Sequence, residues 1–229
     1  MQEIIQSLQG TVEYMLMILP ALLRGAGFTL ALFASTLVLS LPLGLPFALG
    51  SIGRNPIFRF LSRFYIWVFR GTPLMLQLFF FYFFLPKMFP ALMLDAFSTA
   101  LLTFSLNYAA YFAEIYRAGI ESIDGGQYEA ANSLGISRTR TMFGIIIPQA
   151  VKRVIPPVAN EAIVLIKDTA LASVISFSEL MKASRGAVNR DVRADAYLMA
   201  AVIYLILTFL MTMLANRLEK KFSVYEVGK

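Results

Sequence analysis

From Gly25 to Gly50 the chain carries no charged residue, and at about 1.5 Å per residue a helix of that length crosses the roughly 30 Å of hydrocarbon in a bilayer. Within lipid every backbone polar group must be satisfied inside the protein, which confines such a run to a helix. Further apolar runs follow at about 61–85, 96–120, 157–178 and 196–216. With 58% hydrophobic and only 15% charged residues, the chain is too oily for a soluble domain of its length. The prediction is an all-α membrane protein, five transmembrane helices in a single domain over 1–229.

Punctuation refines the picture. Ile4, Ile5, Leu8, Val12, Met15, Leu16 and Leu19 fall near helical spacing, so residues 1–24 read as an interfacial lead-in helix ended by Pro20. Glu3 and Glu13 stand where a cleaved signal would be basic, so the N-terminus is expected to stay on the mature protein. Pro42, Gly44 and Pro46 should bend the first span. The second is interrupted by Arg70-Gly71-Thr72-Pro73 and Gln77. Residues 142–155 read as a surface-lying helix, and Pro156-Pro157 as the opening of the fourth span. Glu179 to Asp195 is a polar connection.

With the N-terminus outside and the C-terminus inside, twelve cations fall on the inner side: Arg54, Arg59, Arg63, Arg117, Arg138, Arg140, Lys152, Arg153, Arg217, Lys220, Lys221 and Lys229. Six (Arg24, Lys87, Lys182, Arg185, Arg190 and Arg193) fall outside, and this bias selects the orientation. The net charge of +6 is dispersed among short loops, which argues against nucleic acid. Without cysteine or histidine, thiolate and imidazole metal sites and His-dependent nucleophiles are excluded. No catalytic or metal-ligating residue is expected. No Gly-x4-Gly-Lys-Ser/Thr phosphate loop occurs, so the chain is not itself an ATPase.

Between the third and fourth spans lies a polar island, Glu129 to Pro148. Glu129 to Leu134 allows barely two helical turns, and Gly135 sits where a helix ends in a left-handed residue. A short helix and a forced turn are predicted, on the basic side of the membrane.

Charges inside spans cost from about 2.5 to more than 10 kcal/mol, so each needs a partner or a wet cavity. Arg70 and Glu114 fall at similar depth and are candidates for an ion pair between spans two and three; the alternative pairs Glu114 with Arg117 one turn later and lets Arg70 snorkel. Glu161, a turn past Pro156-Pro157, would sit at the positive end of a broken helix, where it could hold a cationic or amino group of a solute or simply cap its own helix. Asn107 and Asn160 are its candidate companions. Lys167 and Asp168 read as solvated near the outer interface.

Glu129-Ala130-Ala131, then Gly135, then Ile145-x-Ile147-Pro148 resembles the loop signature of membrane subunits of bacterial ABC importers, with Ile147 in place of the usual Leu. Arg70-Gly71-Thr72-Pro73-Leu74 with Gln77, Ala110-Tyr111-x-Ala113-Glu114, Arg117-x-Gly119-Ile120 and Lys167-Asp168-Thr169-Ala170-Leu171 resemble its polar amino-acid permease branch. The resemblance covers about residues 20–220. It implies a subunit of the bacterial inner membrane that pairs with an identical or related subunit, two cytoplasmic ATPase subunits carrying ATP and Mg, and an extracytoplasmic solute-binding protein. It further implies that Glu129, Ala130, Ala131 and Gly135 form a cytoplasmic coupling helix, within a loop over 124–153, that docks on the ATPase. Glu161 tilts the substrate towards basic amino acids; glutamine, glutamate and cystine stay open. An ATP-independent carrier or channel for small polar solutes is the alternative.

Overall fold

The computed structural model describes residues 2–223, with side chains described over 9–222; the inner-side assignment of Lys229 lies outside them, as do the side chains of Ile4, Ile5 and Leu8. Among the described residues every regular element is helical: α1 (Gln2–Ile52), α2 (Pro56–Gly71), α3 (Leu74–Phe79), a π-helical stretch (Phe80–Phe84), α4 (Leu85–Met88), a 3-10 turn (Pro90–Leu92), α5 (Ala96–Glu121), α6 (Gly125–Ser133), α7 (Arg138–Thr141), a second π-helical stretch (Met142–Ile146), α8 (Ile147–Asp168), a 3-10 stretch (Thr169–Ile175), α9 (Leu180–Asp191) and α10 (Asp195–Ser223). Gln9–Ile52 and Asp195–Phe222 are long and apolar enough to cross a membrane, and Pro56–Gly71 with Leu74–Met88 passes only as a broken pair. Helices α5 and α8 do not meet that test; they carry Glu114, Arg117 and Glu121, and Lys152, Arg153 and Glu161.

Contacts divide the chain into two compact units. The first comprises residues up to 36, 74–103 and 163–211. Its core is a strip of α1, Tyr14, Ile18, Leu22 and Ala26 at four-residue spacing, packed on Leu180 and Ala187 of α9 and Ala196, Ala200 and Ile203 of α10. This explains why Pro20 does not end the lead-in helix: buried residues on both sides hold α1 continuous, so one lost backbone bond is tolerated. Gly25 allows a close approach here, since an added Cβ would lie a tight 3.0 Å from the Leu180 Cα. The polar connection after span four contains α9, capped by buried Glu179, which accepts from the backbone N–H groups of Met181 and Lys182, each at 2.7 Å, and from the Tyr204 hydroxyl at 2.7 Å.

The second unit comprises 37–73, 104–162 and residues from 212 onward. Ala48, Ile66 and Ala113 form one of its buried clusters, with Phe47 stacked on Tyr65 at 3.8 Å. The Tyr65 hydroxyl donates to the Leu106 carbonyl at 2.5 Å and that of Tyr116 to Leu41 at 3.1 Å. Arg59 and Arg63 cap the end of α1 through the Gly53 and Ser51 carbonyls, at 2.7 and 3.3 Å. Neither Pro42 nor Pro46 interrupts α1. Span two starts earlier than expected, at an Asn55 cap with Pro56 in the first turn, and breaks at Thr72-Pro73.

One correction bears on the site. Pro156 and Pro157 do not open a helix; both lie inside α8, which runs unbroken from Ile147, and residues 147–155 belong to it rather than to a separate surface helix. The two prolines leave the Lys152 and Arg153 carbonyls without their helical donors, a loss too small to unwind a helix whose neighbours hold it.

Candidate functional site

Helix α6 is longer than the spacing of Glu129 to Leu134 suggests, because Asp124 caps it five residues upstream of Glu129, accepting from the Gly126 N–H at 2.7 Å. Its other end is as expected. Gly135 takes φ +70°, its N–H donates to Asn132 at 3.0 Å, and that of Ile136 reaches the Ala131 carbonyl at 2.9 Å, closing the helix with a Schellman motif. Ser137 then caps α7.

The motif residues divide by face. Ala131 is 2% exposed and seats the helix, whereas Glu129 and Ala130 are exposed, and Leu134 is 78% exposed. An open groove of about 630 Å³ runs beside α6, lined by Arg54, Tyr128, Glu129, Asn132, Ile136 and Arg138 among others. A small-residue helix with an outward carboxylate, an uncovered leucine and flanking arginines is suited to seat in a partner's groove.

Among the intramembrane candidates, Arg70 and Glu114 are brought together: Nη1 lies 3.7 Å from Oε1. The alternative pairing forms as well, and more tightly, since Arg117 Nη2 and Nε reach the two Glu114 oxygens at 2.5 and 3.0 Å. Arg117 also donates to Glu121, and Arg70 lies 5.3 Å from the centroid of the Tyr111 ring. The result is a shared carboxylate rather than a simple pair.

Asn107 is 4% exposed, and its Nδ2 donates to the Phe69 carbonyl at 3.0 Å. Phe69 lies in the last turn of α2, where carbonyls lose their helical donors because the chain breaks at Thr72-Pro73. Asn107 therefore holds the broken end of α2, a role that sequence spacing did not show. Glu161 and Asn160 lie side by side in α8, Glu161 half-buried and Asn160 exposed. Because α8 begins at Ile147, Glu161 is mid-helix, and the dipole ground for a carboxylate there is removed. Lys167 is exposed and Asp168 half-buried, at the end of the helix.

Comparison with known proteins agrees with this architecture. Residues 40–224 match the family described as binding-protein-dependent transport system inner membrane component. The chain is 38% identical over 210 residues to the L-cystine transport system permease protein TcyB of Bacillus subtilis (strain 168), covering 90% of this chain and 88% of the relative. It is 37% identical over 205 residues to the arginine transport system permease protein ArtQ of the same organism, covering 89% and 93%. A crystal structure of an amino acid ABC transporter with histidines superposes with a TM-score of 0.85 at 34% identity, covering 90% of this chain and 96% of that one. The chain thus belongs to the family of inner membrane components of binding-protein-dependent transport systems. It is a membrane permease subunit.

Proposed function

We propose that this subunit forms part of the translocation path of an ATP-driven importer of polar amino acids, with five spans, its N-terminus outside and its C-terminus inside. The observation that carries the reading is α6, a short capped helix closed by Gly135 at φ +70° and standing between α5 and α8. Two cytoplasmic ATPase subunits carrying ATP and Mg, a second identical or related permease subunit and an extracytoplasmic solute-binding protein complete the assembly. Glu129 and Ala130, on a helix seated by Ala131 and closed by Gly135, form the contact with the ATPase, and closing of the ATPases rocks the spans on either side. The relatives' names differ in substrate, cystine for one and arginine for another.

Glu161 and Asn160 contact the solute, and the Glu161 carboxylate favours a basic amino acid. Asn107 is their candidate third member. The test is uptake competition among the twenty amino acids in proteoliposomes holding the complete transporter, with and without ATP. ATP-dependent uptake competed by arginine, lysine or histidine, and lost in Glu161→Gln, is expected. Uptake without ATP would favour a carrier or channel, and full retention in Glu161→Gln would remove that residue from the site.

A further inference from the structure

Two contacts close the base of the segment that carries α6. In the first, Arg153 of α8 donates from Nη1 to the carbonyl oxygen of Ser122, just past the end of α5, and to the Ser122 Oγ at 3.0 Å. The Ser122 hydroxyl donates in turn to the Gly119 carbonyl at 2.7 Å. A guanidinium at a helix C-terminus satisfies carbonyls that have no helical donor and meets the negative end of the dipole. In the second, Gly119 is buried against α8 so closely that a Cβ there would lie 2.2 Å from the Val154 Cγ1. Gly119 lies in the last turn of α5 and Ser122 directly follows the helix, and their partners Val154 and Arg153 are neighbours in α8. Alongside, Ile123, Ile146 and Ala150 are buried, packed with Ile120, Met142 and Ile145.

We infer that Arg153 on Ser122 and Gly119 on Val154 form a latch that joins these ends of α5 and α8 into one rigid lever, making Arg153 and Gly119 positioning residues for coupling. The inference rests on the coupling reading above. Without the latch, the short connections on either side of α6 would take up its displacement. With it, a push on α6 is delivered to α5 and α8 together. Arg153 is itself exposed, so its bonds set geometry more than global stability.

The test reads solute taken up per ATP hydrolysed by the complete transporter in proteoliposomes. Gly119→Ala should lower that ratio about tenfold. Val154→Ala alone, which loosens the packed contact without a clash, should lower it by a smaller factor. The double variant G119A/V154A should recover it, because the new methyl then meets only ordinary contacts, the Ala150 carbonyl oxygen at 3.6 Å and the Val154 Cβ at 3.7 Å. R153Q, which leaves the packed contact intact, should lower the ratio with an unchanged melting temperature, and R153K should recover part of it. A wild-type ratio in both Gly119→Ala and R153Q overturns the latch, as does a loss in Gly119→Ala that the double variant does not repair. If a transporter lacking residues 129–135 still couples uptake to ATP, the coupling reading fails and the latch with it.

Discussion

Glu114 belongs first to Arg117, which grips both its oxygens at 2.5 and 3.0 Å, and only second to Arg70, 3.7 Å away. Removing the carboxylate leaves two arginines without their shared anion, whereas removing Arg70 leaves the tighter grip in place. Glu114→Gln should therefore lower the melting temperature in detergent by about 5 °C, and Arg70→Gln by about 1 °C. A double charge swap of Arg70 and Glu114 should not restore the wild-type value, since it would set the new arginine against Arg117.

Asn107 holds the Phe69 carbonyl at the end of a broken helix. Asn107→Leu removes the side-chain donor to that half-buried carbonyl, at a cost of about 0.5–1.5 kcal/mol. A lower melting temperature with an unchanged KM for uptake identifies this role. A raised KM at unchanged stability would instead place Asn107 against the solute.

Gly135 meets nothing within 4 Å of an added Cβ, so Gly135→Ala tests backbone strain alone, at φ +70°. The expected cost is about 1 kcal/mol, read as roughly fivefold faster hydrogen exchange of the α6 amides, with Gly135→Asn closer to wild type.

Those two residues mark what the sequence carried. Gly135 was legible because its left-handed conformation is a local demand, whereas the burial of Ala131 against its own chain was not. Both ends of α5 and the start of α10 were legible from hydrophobic runs, whereas α10 runs on to Ser223, past the run's expected end near 216. Asn107 and Arg153 were not, because their partners lie 38 and 31 residues away and nothing local distinguishes either side chain from a solvated one. Pro156-Pro157 misled for a related reason: proline breaks a helix only where the surroundings do not hold it, and in α8 they do. The Asp124 cap was hidden behind two glycines.

Glu179 gives a pH signature. Burial pushes its carboxyl up, against the lowering effects of the Met181 N–H, the Tyr204 hydroxyl and the Lys182 N–H. The folded state thus holds this proton more firmly than the unfolded chain does. Its contribution to stability is full below the ordinary carboxylate range and is lost as pH rises through the raised value. The difference in melting temperature, wild type minus Glu179→Gln, should fall over that window; a flat difference would contradict the assignment.

If α6 carries the ATPases' motion to the permease, deleting residues 129–135 separates the two activities, which is read by following ATP hydrolysis and amino-acid uptake in the same proteoliposomes. Hydrolysis should persist while uptake falls to background. Uptake at the wild-type rate per ATP would rule out α6 as the carrier of that motion.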